Sequence, residues 1–123
     1  MTLINALVVT TDFTMSLQSI DADAGDDLNT LVGGWFQTAP CTDPELTFWV
    51  NEEGKLHGMP LNDVATEMWL LTSPSMRGHD YLVGTVVITG GVGPEGETLT
   101  LPSNWATKFA ESFDIEMPEG MTR

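Results

Sequence analysis

Five segments of the chain carry the apolar pattern of β-strands: residues 2–10, 35–38, 46–50, 81–89 and 98–101. The first and fourth are apolar or β-branched on both alternating sets of positions, which is typical of strands buried on two faces. The third alternates instead, with Leu46, Phe48 and Val50 on one face and polar or aromatic positions on the other. These patterns predict a sheet that contains strands covered on both sides.

A short helix is predicted after the acidic turn at residues 21–27, because Asp26 and Asp27 suit a helix N-terminus. Its apolar stripe is formed by Leu28, Leu31 and Val32. Gly33 and Gly34 then supply the permissive backbone that ends it.

A second helix is predicted over residues 63–71, because the side-chain amide of Asn62 can cap its first turn. Its buried face is expected to consist of Leu61, Ala65, Met68 and Trp69. The segment from Asn51 to Gly54 indicates a hairpin turn, with Gly54 left-handed and the chain returning through residues 55–57.

The last predicted helix begins at Ser103 and carries one aromatic stripe of Trp105, Phe109 and Phe113. Residues 110–123 are acidic and contain Pro and Gly, so we expect a frayed tail there. The helices are too few and too short for a regular βαβ series. We therefore expect one α+β domain over residues 1–123, with a single small mixed β-sheet partly covered by two or three short helices.

Net charge is the one property of the composition that lies far from average. Eighteen acidic residues face four basic ones, which gives a net charge of −14. Nucleic-acid binding needs clustered Lys and Arg, so we expect no direct contact with DNA or RNA, and anionic membranes are disfavoured likewise. The single Cys41 allows no intrachain disulfide, and the N-terminus lacks the basic flank of a signal peptide. We expect a cytoplasmic protein.

None of the candidate chemical motifs has the full set of residues that its chemistry requires. The glycine-rich loop after the fourth strand has Glu97 where a phosphate-binding loop needs Lys. Cys41, His57 and His79 do not have the spacing of a zinc site. A calcium loop counted from Asp21 lacks its Gly and its closing Glu. We therefore predict no catalytic residue, no metal ligand and no cofactor.

Three stretches carry a family resemblance: residues 28–35 with their VGG turn, VNEEGKLHGMPLN at 50–62, and LVGTVVI at 82–88. Together they resemble a family of small proteins known as domain of unknown function 3846, over residues 3–102. The resemblance implies an origin in bacteriophages, plasmids and integrative elements, often beside antirestriction genes. It implies structural roles for its motif residues Gly33, Gly34, Gly54, Pro60 and Asn62. This chain departs from many relatives in its acidity and its Trp content.

The charge and the resemblance together favour a non-enzymatic phage or mobile-element accessory protein that binds or inhibits a host protein. That partner would be basic or nucleic-acid-binding, and in one version the carboxylates mimic DNA phosphates in the groove of a defence protein. The candidate partner-binding carboxylates are Asp21, Asp23, Asp26, Asp27, Asp43, Glu45, Glu52 and Glu53. Alternatives are a small-molecule-binding or sequestering protein, a homo-oligomer, an enzyme with converging carboxylates, or a charge that only maintains solubility.

Overall fold

The structure, a computed structural model, describes residues 2–112 and is organised around one five-stranded sheet. The strands are β1 (Leu3–Val9), β2 (Met15–Asp21), β3 (Phe36–Ala39), β4 (Leu46–Asn51) and β5 (Val86–Gly90). The helices in this part of the chain are α1 (Asp26–Val32), α2 (Asp63–Thr72) and α3 (Ser103–Ser112), with a 3-10 turn at Pro74–Met76. The predicted α+β class is confirmed.

The strand order is β2-β1-β5-β4-β3, and every neighbouring pair is antiparallel. The expectation of a mixed sheet is therefore wrong, although α2 lies between two neighbouring strands in the sequence. The reason is the segment of residues 73–85 between α2 and β5, which brings the chain back to the start of α2. There Leu61 bridges to Val83, and the Asn62 N–H donates to the Leu82 carbonyl at 2.9 Å. From that point β5 runs antiparallel to β4.

Helices cover the two faces of the sheet unequally. On one face α1 crosses from the β2 edge to the β3 edge over an apolar cluster of Ile4, Ala6, Val8, Ile20, Leu28, Val32 and Val87. On the other face α2 and α3 pack over a larger cluster that includes Leu7, Val9, Phe48, Ile88, Met68, Trp69 and Phe109. The prediction of two-sided burial is confirmed for β1 and β5, whose central residues are buried on both faces.

Asn62 joins the start of α2 to the sheet and to the return segment. Its Oδ1 accepts from the Ala65 N–H at 3.0 Å, which confirms the predicted N-cap. Its Nδ2 also donates to the carbonyls of Val9 at 3.0 Å and Gly84 at 2.9 Å. The side chain is fully buried, so these three bonds satisfy polar groups that water does not reach.

The end of α1 follows the predicted glycine signal. Gly33 has a φ of +80°, and the N–H groups of Gly33 and Gly34 both donate to the Asn29 carbonyl at 3.0 Å. Only glycine adopts this left-handed conformation without steric cost. The turn directs the chain into β3 at the far edge of the sheet.

Several predicted boundaries are wrong for identifiable reasons. Strand β2 was not predicted, because its residues do not alternate regularly. Residues 52–58 form successive turns instead of returning as a strand, and Gly58, not Gly54, has the positive φ, at +67°. The predicted strand at 81–89 begins only at Val86, since Gly84, with a φ of +69°, turns the chain just before it.

The C-terminal part of the described chain also differs from prediction. Residues 98–101 form no regular strand, although the Gly90 N–H donates to the Leu99 carbonyl and the Leu101 N–H to the Asn5 carbonyl. Leu61, predicted to be buried, is 47% exposed because it precedes the helix. The expected frayed tail overlaps α3, which continues to Ser112, while residues 113–123, including Phe113 of the predicted stripe, lie outside the described residues.

Candidate functional site

Three loops leave the same end of the sheet and form a strongly acidic surface. The strand register places Leu3 opposite Asp21, Leu46 opposite Gly90 and Ala39 opposite Phe48, so the loops after β2, β3 and β5 all leave this end of the sheet. We call residues 21–27, 40–45 and 91–98 the acidic end. It carries eight carboxylates and no Lys or Arg: Asp21, Asp23, Asp26, Asp27, Asp43, Glu45, Glu95 and Glu97. Five strands at ~4.8 Å spacing make this end about 19 Å wide.

At the β2 corner, hydrogen bonds from the backbone fix the carboxylates. Asp27 Oδ2 accepts from the Asp21 N–H at 2.8 Å, and Asp21 Oδ1 accepts from the Asp23 N–H at 2.9 Å and the Thr2 N–H at 3.3 Å. Asp26 and Asp27 also occupy the first turn of α1, where the helix dipole favours negative charge. These donors offset part of the repulsion among four nearby acids, so the corner holds its charge in a defined geometry.

The other two acidic loops touch each other. A Cβ built on Gly91 would lie 2.0 Å from the Pro44 carbonyl oxygen, so the two backbones approach closely only because residue 91 is glycine. Within each loop a carboxylate accepts a hydrogen bond from a backbone N–H two residues away. Asp43 Oδ1 accepts from the Glu45 N–H and Glu97 Oε2 from the Glu95 N–H, both at 2.9 Å. The pair of loops therefore presents its carboxylates as one surface.

A concavity of about 400 Å³ lies between these two loops. Its lining includes Pro44, Leu46 and Val92 beside the carboxylate of Asp43, and Val92 is 67% exposed. Apolar surface beside a carboxylate suits a Lys or Arg side chain, whose stem packs on the apolar part while its charged head meets Asp43.

The structure brings six of the eight sequence-predicted carboxylates to the acidic end and leaves two elsewhere. Glu52 and Glu53 follow β4, at the opposite end of the sheet, where Glu53 Oε2 lies 3.0 Å from His57 Nε2. Glu95 and Glu97 belong to the acidic end but were not among the predicted residues. Their loop reads in sequence only as a turn, and its position beside the Asp43 loop depends on β5 pairing with β4.

The described Lys and Arg side chains engage groups away from the acidic end. Lys55 forms an ion pair with Asp80 and lies 4.5 Å from the centre of the Tyr81 ring. Arg77 Nη2 lies 3.5 Å from Glu67 Oε2, and Lys108 lies 4.5 Å from the centre of the Trp105 ring. None of these contacts of the three cations involves a carboxylate of the acidic end.

Burial of the Asp80 carboxyl opposes its ionisation, but the hydrogen bonds from Lys55 and the Tyr81 N–H, with the Lys55 charge, outweigh burial and hold its pKa below the usual range. Hydrogen bonds from the hydroxyls of Thr10 and Thr14 likewise lower the pKa of Asp12. Both groups lie outside the acidic end, and both remain ionised at neutral pH.

A second concavity, of about 230 Å³, lies beside the edge strand β3. Ala39, Val50 and Leu82 contribute apolar surface, while Tyr81 and the ion pair of Lys55 with Asp80 stand at its border. Polar residues such as Gln37 and Asn51 also line it, so its surface is more mixed than that of most small-molecule sites, and it is smaller than their usual volume of about 300–1,000 Å³.

The residues considered for metal binding are not brought together. Cys41 lies half-buried at the acidic end, whereas His57 follows β4 at the opposite end. Within residues 2–112 no three His, Cys, Asp or Glu side chains are placed to hold a metal ion. In the same part of the chain no helix has the length and apolar character needed to cross a membrane.

Comparison with known proteins identifies one family. A sequence model described as "Domain of unknown function (DUF3846)" matches residues 4–114, nearly the whole chain. No curated protein and no solved structure matches the chain. The match includes every strand and helix described above, apart from Leu3 at the start of β1. The chain therefore belongs to the DUF3846 family of domains of unknown function.

Proposed function

We propose that this protein is a non-enzymatic accessory protein of a phage or mobile element that binds a basic surface of a host protein through its acidic end. One observation carries the proposal: three loops at one end of the sheet contain eight carboxylates without a Lys or Arg among them. Such a surface attracts basic partners, speeds their association and repels nucleic acids.

The concavity between the Asp43 and Gly91 loops supports a specific contact in addition to long-range attraction. A basic side chain of the partner would place its stem against Val92 and Pro44 and its charged head near Asp43. Attraction between charged surfaces mainly raises the association rate of two proteins. The apolar contact in the concavity is therefore what would slow dissociation of the partner.

A DNA-mimicking version of the proposal is compatible with the dimensions. The acidic end is about 19 Å wide, close to the diameter of a duplex, and its carboxylates are held by backbone donors. In this version the partner is itself a DNA-binding protein, and the acidic end occupies its DNA-binding groove. Duplex DNA would then compete with this protein for the partner.

The test neutralises four of the eight carboxylates of the acidic end, those of the two touching loops, without removing the hydrogen bonds inside these loops. The variant carries Asp43→Asn, Glu45→Gln, Glu95→Gln and Glu97→Gln, and its amide oxygens can still accept from the same N–H groups. The matched control removes the same charge elsewhere, with Glu52→Gln, Glu53→Gln, Glu67→Gln and Glu111→Gln, all exposed. Partners are captured from a host lysate on the immobilised wild-type protein, identified by mass spectrometry and purified for kinetic measurement.

The association rate of a captured partner should fall at least about tenfold for the acidic-end variant at low salt and stay near wild type for the control. Equal rates for the two variants would contradict the proposal. For the DNA-mimicking version, a partner that duplex DNA does not displace, or whose binding ignores salt, would contradict it.

A second candidate function rests on the concavity beside β3. Its lining combines apolar side chains with polar ones and with the ion pair of Lys55 and Asp80, which favours a small ligand that carries several polar groups. Thermal-shift measurements against nucleotides and other metabolites test this function, since a specific ligand raises the melting temperature by mass action. Replacing Val50, which lines this concavity but not the one at the acidic end, by Leu would narrow the concavity and should reduce such a shift.

A further inference from the structure

Strand β2 leaves one complete edge of the sheet unpaired within residues 2–112. Thr10 and Ala22 donate their N–H groups across the β1–β2 ladder, to the carbonyls of Thr14 and Thr2. Because antiparallel hydrogen bonding alternates along a strand, the even-numbered residues of β2 bond to β1. The backbone groups of the odd-numbered residues therefore point away from the sheet: Met15, Leu17, Ser19 and Asp21.

The protein covers only one end of this edge. The Asp21 N–H donates to Asp27 Oδ2 at 2.8 Å, whereas the outward groups of Met15, Leu17 and Ser19 have no hydrogen-bond partner among the described residues. The opposite edge of the sheet is less open, because the Phe36 N–H of the four-residue strand β3 donates to Asn29 Oδ1 at 3.1 Å.

The β2 edge also lacks the features that normally prevent pairing between chains. Exposed edges are usually protected by Lys, Pro or a bulge. Residues 13–20 contain no charge and no proline, in a chain of net charge −14, and all seven β2 residues pair with β1 in unbroken register. The central part of a ladder between this strand and a second acidic copy would therefore contain no carboxylate.

We propose that two copies of this chain associate through β2, antiparallel, with the two-fold axis at Leu17. In this register Leu17 faces Leu17 of the second copy, and Met15 faces Ser19 in both directions. Each facing pair exchanges two N–H···O bonds, so the outward groups of all three residues are satisfied by six hydrogen bonds. Registers centred on Ser19 would instead face Leu17 with Asp21, whose N–H is already bonded. The product is one continuous sheet of ten strands with isologous symmetry.

The charge distribution gives this association a distinctive salt dependence. At the two ends of the shared ladder the register brings Asp12 of one copy near Asp21 and Asp23 of the other, and each copy carries a net charge of −14. Added salt screens this repulsion and leaves the hydrogen bonds of the uncharged segment in place. Self-association should therefore strengthen with salt, whereas binding through the acidic end weakens, so the two proposals fail independently.

Sedimentation velocity on the full chain at about 50 mM and about 500 mM NaCl tests the proposal. The mass should rise from the 13.4 kDa monomer toward twice that value with concentration, and more so at high salt. Ser19→Pro removes an outward N–H of an exposed residue and should raise the dissociation constant at least about tenfold, since it deletes two hydrogen bonds and blocks close approach. The matched control, Thr38→Pro, makes the same change on the β3 edge and should leave association unchanged.

Hydrogen exchange on the wild-type protein locates the interface without relying on a variant that folds. The amides of Leu17 and Ser19 should become protected as protein concentration increases, while the Thr38 amide stays unprotected. A monomer at both salt concentrations up to about 1 mM would overturn the proposal. Concentration-independent protection at Leu17 and Ser19, or a dimer that folded Ser19→Pro leaves intact, would overturn it as well.

Discussion

Asn62 offers the sharpest test of how α2 is held to the sheet. Asp caps helices as well as Asn does, so Asn62→Asp should be tolerated if the residue served only as an N-cap. The structure leads to the opposite expectation, because Nδ2 donates to the buried carbonyls of Val9 and Gly84. An Asp there would turn a carboxylate oxygen toward two carbonyl oxygens at a fully buried position.

The size of the effect follows from the three hydrogen bonds. In Asn62→Ala the lost cap costs about 1 kcal/mol, and the two carbonyls left without a donor cost about 1 kcal/mol each, or about 3 kcal/mol together. Asn62→Asp keeps the cap but buries an unpaired charge, a change that typically costs about 3–5 kcal/mol. For a chain of this length, 3 kcal/mol lowers the melting temperature by about 10–15 °C. Asp should therefore be at least as damaging as Ala at neutral pH.

Urea denaturation of the wild type, Asn62→Ala and Asn62→Asp, followed by tryptophan fluorescence, to which the buried Trp69 contributes, measures these differences. The change in stability with pH provides a second way to distinguish the Asp variant from the Ala variant. Burial raises the pKa of the introduced carboxyl in the folded state, so Asn62→Asp should regain stability as the pH falls through that value, and Asn62→Ala should not. An Asn62→Asp protein within about 0.5 kcal/mol of wild type at pH 7 would refute the role assigned to Nδ2.

Two further predictions concern the loops. Gly91→Ala places a Cβ 2.0 Å from the Pro44 carbonyl oxygen and should lower the free energy of unfolding, measured by urea denaturation, by at least about 2 kcal/mol. The control Gly58→Ala has open space around its Cβ and a φ of +67°, so it should lower that free energy by only about 1 kcal/mol. Equal losses for the two variants would contradict the contact between the loops. The ion pair with Lys55 helps hold the pKa of Asp80 below its unfolded value, so its contribution is present above pH ~4 and is lost as the pH falls through the folded pKa. The difference in melting temperature between wild type and Asp80→Asn should therefore shrink on acidification, and a constant difference down to pH ~2 would argue against it.

The elements predicted correctly from sequence are those in which the local pattern of apolar and polar residues matches the buried and exposed positions. Strand β1 is apolar on both alternating sets because helices cover both of its faces, and α2 shows its buried face through Ala65, Met68 and Trp69. The N-cap at Asn62 was also predicted, since its acceptor lies three residues away. The two bonds of Nδ2 were not, because they join residues 53 and 22 positions apart in the chain.

Strand β2 was not predicted from the sequence because it is an edge strand, which needs few apolar residues. Met15 and Leu17 turn toward the larger cluster and Ile20 toward the smaller one, while Gln18 and Ser19 are exposed. Such a strand needs few apolar side chains, and its position is set by pairing with β1 instead of by its own pattern. Local sequence therefore gave no periodic signal there.

The acidic end was predictable in composition but not in geometry. Counting acidic residues identified Asp21, Asp43 and their neighbours, but nothing local relates Glu95 to Asp43 or separates Glu52 from both. That relation arises only when β5 inserts between β1 and β4 and carries its loop to the same end as theirs. The sequence shows directly which residues are acidic, whereas the order of the strands determines which acidic loops lie side by side.

The same strand order has a consequence for synthesis on the ribosome. The hairpins β1–β2 and β3–β4 can each form from local sequence, but only β5 joins them, and it follows all four of their strands in the chain. A nascent chain that has not yet emerged beyond Gly90 holds two separate hairpins with two additional open edges facing each other. Completion is thus a late, long-range event, and premature termination before β5 should yield aggregation-prone fragments instead of a smaller folded domain.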